Sequence, residues 1–557
     1  MNSTFNQTDE YCDPALQKTF QVLATTANTC AETTLITALD SPSAEIVTAA
    51  AKRILIRKSD AGKQAIVRHW DSLKVLLTPI FDLFPGRMVD TLAANLSSSD
   101  SILQQLSLRI AIDICEYDFV PHLLPHVENR RSSLHQEAEA ALGSLTQSLY
   151  DETHGKRSYA KKRDPQLARA RVTLELEKCL GRFEQHRNQS ILTSFLALAG
   201  RENSQVVRYL SLVDSAAVVN QETAKLLRSS TVPGVMRLLA SFLDDQHAPL
   251  MALQIAASRK DGEFVEECLR RIAIGDRNNL AQNLGKISTW QWLTLREETW
   301  KTLYESEQAA AVTWAVLSGI PLARKLEILQ WSLQHGRAGA RLQAAESLAQ
   351  FRDEEANQLV LGHLHDVDPR VRAALLNQLR SREIPSAVAK LVAALEDRDP
   401  IVRSTVQKHL PEYRFRRFAD LFDSMEPPMQ AANAKIVRRA DPDWKPQLEA
   451  ELRSDVRVKK MRALRMAQCL SAGNEVFRDV LPAVRDEEAL VRQLAIGVLS
   501  QSSASEAIAA IRQCLLDEQV SVRCAAEEAL SQRGKVNGQN ELNASGSQVE
   551  LYSTANI

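Results

Sequence analysis

Apolar positions in the second half of the chain recur with the period of an α-helix. The segments VRAALLNQLR at 371–380 and VRSTVQKHLP at 402–411 place apolar residues three and seven positions after an arginine. This spacing puts the apolar side chains on one face of a helix. The pattern therefore predicts short amphipathic helices, each with one face to bury.

The helical pattern itself repeats, in most cases after 31 residues. An aspartate stands six residues before each anchor position except Arg341, where His335 takes its place. The anchors are Arg341, Arg372, Arg403, Met429, Met461, Arg492 and Arg523. Seven units in this register predict an array of repeats rather than several independent domains.

Each repeat predicts two helices joined by a tight turn. In HDVDPRVRAALLNQL, Asp368 is placed to cap the second helix, and Pro369 suits its first position. The segment IPSAVAKLVAALED at 384–397 predicts a preceding amphipathic helix. Because one such pair cannot bury its own apolar faces, pairs must stack. We predict an all-α fold, a right-handed α-solenoid of stacked antiparallel helix pairs.

The recurring aspartates and arginines predict a ladder of hydrogen bonds and ion pairs along the stack. Repetition of one residue pair in every unit favours a structural role over catalysis. The predicted ladder positions are Asp366, Arg372, Asp397, Arg403, Asp423, Asp455, Asp486, Arg492, Asp517 and Arg523.

The motif Asp-x-Asp-Pro-x-Val-Arg-x-x-Ala-x-x-x-Leu resembles the HEAT-repeat family in its short bacterial form. Such repeats are similar to those of phycobilin lyases. The resemblance covers roughly residues 335–532. It implies a fold and leaves the function open, since arrays of this kind serve many purposes.

The remaining chain divides by periodicity and polarity. The polar segment YDETHGKRSYAKKRDPQ interrupts the apolar period and predicts a loop or hinge. The predicted organisation is a flexible N-terminus (1–13), degenerate helical repeats (14–149), a basic loop or hinge (150–166), degenerate repeats with a tryptophan cluster (167–334), regular repeats (335–532) and a disordered C-terminal tail (533–557).

Composition agrees with a helical array and excludes several classes of protein. The 557 residues include only 19 Gly and 19 Pro, which disfavours β-sandwiches and glycine-rich nucleotide folds. Eight cysteines without a CxxC pair predict neither a zinc site nor a disulfide framework. The start of the chain lacks signal-peptide features, and no apolar run is long enough to span a bilayer. We therefore expect a cytoplasmic protein without membrane insertion.

Motifs that carry catalytic chemistry are missing from the sequence. Phosphate-binding loops, GxGxxG, HExxH and GxSxG do not occur. Two histidine pairs, His122 with His126 and His363 with His365, are weak metal candidates. Prolines flank the first pair, and the second lies in a predicted turn. No enzyme activity, metal or cofactor is predicted.

Five tryptophans lie within 42 residues, and they allow three interpretations. They are a partner surface, a pocket that stacks a base or tetrapyrrole, or bulky core filler, of which the last is preferred. Trp290 and Trp292 cannot share one helical face, so one should be more exposed if their segment is helical. The cluster comprises Trp290, Trp292, Trp300, Trp314 and Trp331.

Net charge is -1, but two stretches are locally basic. Residues 156–172 carry seven basic and one acidic side chain, and residues 403–465 carry fifteen basic and nine acidic. A basic stripe on the concave face of a solenoid suits an acidic partner or a phosphate backbone. The candidate partner-binding residues are Arg414, Arg416, Arg417, Arg438, Arg439, Arg457, Lys459, Lys460 and Arg462.

The favoured function is a non-enzymatic scaffold or adaptor that binds a protein partner on its concave surface. A regulatory module is not separable from this hypothesis by sequence. The alternatives are a nucleic-acid-binding array, a DNA-repair-glycosylase-like array and a phycobilin-lyase-like enzyme. The glycosylase alternative needs a tryptophan and an aspartate that face one basic concave surface, for which Trp444 beside Asp441 and Asp443 is the local candidate. The sequence leaves the oligomeric state open.

Overall fold

The structure is a computed structural model that describes residues 14–155, 163–211, 217–294 and 297–532. These residues form helices and connecting turns, and they contain no β-strand. The predicted flexible segments 1–13 and 533–557 lie outside the described residues. The chain divides into two compact units, which we call unit 1 (up to Ile328) and unit 2 (from Leu329).

Unit 1 is a succession of short helices joined by tight turns. Its helices are α1 (Pro14–Thr25), α2 (Cys30–Thr37), α3 (Ala44–Arg57), α4 (Asp60–Arg68), α5 (Trp70–Phe81), α6 (Val89–Leu96), α7 (Ser101–Asp113), α8 (Val120–Glu128), α9 (His135–His154), α10 (Pro165–Leu180), α11 (Phe183–His186), α12 (Gln189–Leu198), α13 (Ser204–Tyr209), α14 (Val218–Ser229), α15 (Pro233–Ser241), α16 (Leu250–Ser258), α17 (Gly262–Ile274), α18 (Arg277–Gly285), α19 (Glu297–Thr302) and α20 (Glu305–Leu317).

The division between the units falls within helix α21 (Leu322–His335). The other helices of unit 2 are α22 (Ala338–Ser347), α23 (Glu354–Gly362), α24 (Pro369–Asn377), α25 (Ala387–Ala394), α26 (Pro400–Lys408), α27 (Phe415–Leu421), α28 (Pro427–Ala440), α29 (Trp444–Leu452), α30 (Arg457–Cys469), α31 (Gly473–Val480), α32 (Ala489–Leu499), α33 (Ser505–Gln513) and α34 (520–532).

Helices of unit 2 form two layers, as the 31-residue period requires. The even-numbered helices from α22 to α32 each pack against the next one in that series. In the other layer α27 packs on α29, and α29 on α31. We call the even-numbered helices of unit 2, including α34, the second helices. The predicted all-α array of stacked helix pairs is confirmed.

The predicted apolar face is the face that packs. On α24, Val371 and Leu375 are fully buried, and Leu379 just after its end is fully buried too. Burying a leucine side chain contributes about 1.5–3 kcal/mol. The predicted caps also form, because a side-chain oxygen of Asp368 accepts from the N–H of Arg370 at 2.8 Å. Asp399 caps α26 in the same way.

The predicted loop at 150–166 begins too early. Helix α9 continues to His154, whose ring contacts the ring of Tyr150 one turn earlier in a tilted arrangement with centroids 4.4 Å apart. This contact extends a helix that its polar sequence did not indicate. The next helix, α10, already begins at Pro165. Residues 156–162, which hold the basic cluster of this segment, lie outside the described residues.

Candidate functional site

Arg372 joins two consecutive repeats through one guanidinium group. Its Nη1 donates to the carbonyl oxygens of Asp366 and Val367 in its own turn, at 2.8 and 3.2 Å. Its Nε and Nη2 donate to both carboxylate oxygens of Asp397 in the next turn, at 2.9 and 2.8 Å. The planar guanidinium fork suits this bidentate contact with a carboxylate.

The same contact recurs 25 residues apart elsewhere in unit 2. Arg341 reaches Asp366 at 2.9 and 3.2 Å. Arg492 reaches Asp517 at 2.8 Å through both nitrogens. One repeat earlier a lysine takes the place of the arginine, because Lys460 Nζ lies 3.4 Å from Asp486 Oδ2. These contacts hold the turns of successive repeats side by side.

Two of the predicted ladder aspartates do not join the ladder. Asp423 lies twenty residues after Arg403 rather than twenty-five, and its carboxylate instead pairs with Arg465 at 2.6 Å. Asp455 is exposed and forms no ion pair among the described residues. Among the described residues, Arg403 and Arg523 make only the inner half of the contact, to carbonyl oxygens of their own turns.

The ladder arginines lower the pKa of their aspartates. The Arg372 guanidinium holds the pKa of Asp397 below its usual value, against a smaller rise from burial. Arg492 lowers the pKa of Asp517 for the same reason. Both carboxylates therefore stay ionised and remain in their ion pairs between repeats. This leaves them unsuited to act as general acids.

A second set of arginines was not recognised from the sequence. The guanidinium of Arg259 is buried and donates to the carbonyl oxygens of Leu227 and Ser230 at the end of α14, at 2.8 and 2.9 Å. Arg438 makes the equivalent contact with Leu470 and Ser471 at the end of α30. The cation satisfies helix-end carbonyls and complements the helix dipole. In the sequence, the only sign of this contact is an arginine that lies about one repeat away from the end of the helix whose carbonyl oxygens it binds.

Unit 1 also contains a buried aspartate that binds two arginines. Asp244 accepts from both of them through one carboxylate oxygen. Its Oδ1 lies 2.6 Å from Arg201 Nη1 and 2.7 Å from Arg271 Nη2. Because these contacts are 43 and 27 residues apart, no fixed spacing predicts them.

The candidate partner-binding residues fall at two opposite ends of the second helices. Helices α28 and α30 have their C-terminal ends together, since Arg438 Nη1 donates to Leu470 O at 2.7 Å. Helix α30 has 13 residues and is therefore about 20 Å long. One group lies where α28 ends and α27 starts: Arg414, Arg416, Arg417, Arg438 and Arg439. The other lies in the first two turns of α30: Arg457, Lys459, Lys460 and Arg462.

Most of these cations are already neutralised by carboxylates. The pairs are Arg414–Asp441, Arg438–Glu475, Arg439–Glu396, Arg457–Glu488, Lys460–Asp486 and Arg462–Glu451. Arg416, Arg417 and Lys459 are exposed, and no ion pair to them is present in the part of the chain that the structure describes. These three side chains are available to a partner.

The residues that the glycosylase alternative requires are used for packing. Trp444 is 8% exposed and lies in the core of unit 2, with Arg438 above its ring at 5.4 Å. The Asp441 carboxylate is buried and accepts from Arg414 and from the N–H groups of Phe415 and Asp443, at 3.2, 2.9 and 3.0 Å. A base cannot reach this pair.

Four tryptophans of unit 1 form one buried aromatic cluster: Trp290, Trp292, Trp300 and Trp314. Trp314 lies 5.0 Å from Trp290 and 4.4 Å from Trp292, and Trp292 stacks on Trp300 at 6.3 Å. Residues 290–294 form turns rather than a helix, so the condition under which Trp290 or Trp292 was expected to be exposed does not apply. Both side chains are buried. Trp331, in unit 2, is buried as well.

The described ranges hold no group of three His, Cys, Asp or Glu side chains arranged to bind a metal ion. His126 contacts Ser132 at 3.0 Å, and His363 contacts the carbonyl of Leu359 at 2.8 Å. Both histidines thus have local structural partners. Across the same ranges, no helix has the length and apolar character needed to cross a membrane.

Comparison with known proteins identifies the repeat. A family model of HEAT repeats matches residues 325–410. No curated protein matches the chain. Among solved structures, one of β-catenin from a study of its interaction with cadherin is 14% identical over 90% of this chain and 99% of that chain, with a TM-score of 0.39. A structure of a Kap121p mutant is 11% identical over 94% of this chain and 80% of that chain, with a TM-score of 0.28.

The matched range contains the ladder contacts Arg341–Asp366 and Arg372–Asp397 and the two capped turns. Similar pairs of helices continue beyond it on both sides. Residues 325–410 are HEAT repeats, and they form part of an all-α array of stacked helix pairs.

Proposed function

We propose that this protein is a non-enzymatic scaffold that binds an acidic segment of a protein partner on unit 2. The contact surface would be the basic end, which we define as Lys408, Arg416, Arg417, Lys435 and Arg439. Lys408, Lys435 and Arg439 lie on second helices, the layer that we expect on the concave side, and Arg416 and Arg417 lie at the start of α27 beside the ends of those helices. A preformed surface of this kind binds with little loss of conformational entropy.

The observation that carries the proposal is the set of unneutralised cations at this end. Arg416, Arg417, Lys408 and Lys435 are exposed, and the described residues offer them no ion pair. Gln407 links the three elements that present them. It donates to the carbonyl of Arg439 at 2.7 Å and accepts from Arg414 at 3.1 Å.

The test is charge reversal at the basic end with a matched reversal at the opposite end. Tagged wild type, the double variant Arg416→Glu/Arg417→Glu and the control Arg398→Glu are purified from native cells, and their partners are quantified by mass spectrometry. Arg398 is also exposed, but it lies before the start of α26. Each enriched protein is then produced and its affinity measured at two salt concentrations.

We expect at least one partner that loses roughly tenfold or more in affinity with the double variant, keeps its affinity for Arg398→Glu and binds less tightly at high salt. Equal affinity for both variants would contradict the proposal. A labelled DNA duplex is measured in parallel at low salt. Binding of the duplex that the double variant abolishes, without any protein partner, would favour the nucleic-acid alternative.

A further inference from the structure

Five large apolar side chains stand exposed where three consecutive second helices of unit 2 begin. They form what we call the turn patch. Val456 and Val458 lie at the start of α30, Leu490 at the start of α32, and Leu516 and Val520 at the start of α34. Their exposed fractions are 53%, 68%, 50%, 89% and 61%, in that order. Exposed apolar side chains also occur near the starts of α24, α26 and α28, where Val367, Ile401 and Met429 are 86%, 50% and 57% exposed.

The ladder holds these three turns against one another. Lys460 and Asp486 join the α30 turn to the α32 turn, and Arg492 and Asp517 join the α32 turn to the α34 turn. Packed helices lie about 8–10 Å apart, so the three turns span roughly 20 Å. Single exposed apolar residues are ordinary, but side chains on adjacent turns form a contiguous patch.

Charge changes sign across the patch. Arg457 and Lys459 flank the valines of the α30 turn, whereas Glu487 and Glu488 precede Leu490 in the α32 turn. Arg457 and Glu488 already form a loose pair at 3.5 Å. Lys459 and Glu487 are exposed, and neither has an ion pair within the described ranges. The basic residues of the α30 turn therefore lie about one helix spacing from the acidic residues of the α32 turn.

We propose that the α30 and α32 turns of the turn patch bind the same two turns of a second copy of this chain through a two-fold axis between the starts of α30 and α32, with Leu516 and Val520 outside this pairing. A two-fold operation places the basic turn of each copy opposite the acidic turn of the other. Lys459 then faces Glu487 of the second copy, and the valines face Leu490. A surface that carries positive and negative charges in this order is complementary to a second copy of itself. A partner with charges of one sign would match only one of the two turns.

The patch is small, and this sets the expected strength. The two turns that face each other lie about 8–10 Å apart, so each copy covers well under the about 800 Å² per partner of a standard interface. We therefore expect a reversible dimer with a dissociation constant in the micromolar range. Salt should weaken it, because exposed charge pairs contribute to it.

The experiment is sedimentation velocity on the full chain over about 1–200 μM at low salt. Wild type should pass from monomer to dimer, and Leu490→Ser should raise the dissociation constant at least tenfold. Val75→Ser is the matched control, since Val75 is 86% exposed in unit 1. It should dimerise as wild type does. A wild-type chain that stays monomeric throughout this range overturns the proposal.

A charge exchange then tests the two-fold pairing itself. Lys459→Glu and Glu487→Lys should each weaken the dimer at least tenfold, because each leaves like charges facing across the axis. An equimolar mixture of the two variants should recover dimers, since both pairs become complementary again. Wild-type dimerisation by each single variant overturns the pairing. The Arg416→Glu/Arg417→Glu variant should still dimerise, so failure of the scaffold proposal is distinguishable from failure of this one.

Discussion

In three of the regular repeats, one arginine (Arg341, Arg372 or Arg492) satisfies two sets of acceptors at once. Arg372 closes its own turn through carbonyl oxygens and reaches the carboxylate of Asp397 one repeat later. Both partners are largely shielded from water, with exposed fractions of 17% and 16%. Hydrogen bonds between charged groups contribute more when water is excluded from them. The ladder therefore stabilises the interface between repeats as well as each turn.

Replacing this arginine should destabilise unit 2 more than replacing its neighbour. We expect Arg372→Ala to lower the free energy of unfolding by about 2 kcal/mol, because it leaves the Asp397 carboxylate without its cation. Arg370→Ala, in the same helix, removes a pair with Asp368 in which the arginine is 55% exposed and should cost less than about 1 kcal/mol. Urea unfolding followed by circular dichroism measures both. Equal losses would contradict a special role for the ladder.

The ladder also predicts how stability depends on pH. The folded-state pKa of Asp397 is held below its usual value by Arg372. A lowered folded pKa contributes stability above the unfolded pKa of about 3.9, and this contribution is lost as pH falls through the folded pKa. Wild type should thus be more stable than Asp397→Asn at pH 6, with the difference shrinking below about pH 4.

Urea midpoints of both proteins at several pH values test this. Asp455→Asn is the control, since Asp455 is exposed and forms no ion pair within the described ranges. Its midpoint should follow that of wild type at every pH. A difference between wild type and Asp397→Asn that stays constant down to pH 3 would argue against the lowered pKa.

At the scale of elements, close packing of helix pairs depends on small residues at particular points. Gly473 starts α31 where it meets the end of α32. A Cβ atom there would lie 2.5 Å from the Val498 carbonyl oxygen and 2.7 Å from the Gln501 Cβ atom. The first of these neighbours is backbone and cannot move without displacing α32. The glycine is therefore required by tertiary packing rather than by its own conformation.

Substitution of this glycine should separate the two helices. We expect Gly473→Ala to cost about 1–3 kcal/mol, the usual range for overpacking. Gly362→Ala is the matched control at the end of α23, where a Cβ atom meets nothing within 4 Å. The control should be neutral or slightly stabilising, because alanine favours helix. Thermal unfolding compares the two, and a neutral Gly473→Ala would contradict the close approach.

Elements with regular repeats were predictable, and the exceptions have specific causes. Helices α24 and α26 follow from their apolar period and their Asp-Pro starts. The repeat after Arg403 is shorter, so position 428, twenty-five residues on, is a proline rather than an aspartate. The predicted ladder is interrupted there. Helix α9 outlasts its apolar pattern because an aromatic contact between Tyr150 and His154 supports its last turn.

At the scale of the whole molecule, the cysteine side chains differ in how deeply the fold buries them. Cys268 is fully buried, and burial raises its pKa well above the usual value. Burial raises the pKa of Cys179 to about 12. Cys30 and Cys524 are exposed. Since the thiolate is the reactive form, these differences should separate the cysteines in a labelling experiment.

A thiol-specific reagent at pH 8 tests this in the Cys12→Ser chain, which removes the cysteine outside the described residues. Cys30 and Cys524 should react within minutes, whereas Cys179 and Cys268 should react only after urea unfolding. Peptide mapping by mass spectrometry identifies the labelled positions. Rapid labelling of Cys268 in the native chain would show that the core of unit 1 opens easily.

Periodicity alone was enough to predict the helical class, the repeat length and a ladder of aspartates and arginines that links adjacent repeats. These features depend on residues at constant separations, and a stack of equal units brings equal separations into contact. Tertiary structure decided which charges remain available. Asp441 neutralises Arg414 and Glu475 neutralises Arg438, while Arg416 and Arg417 stay exposed without an ion pair among the described residues. Such pairings join residues at irregular separations, so only the folded chain determines them.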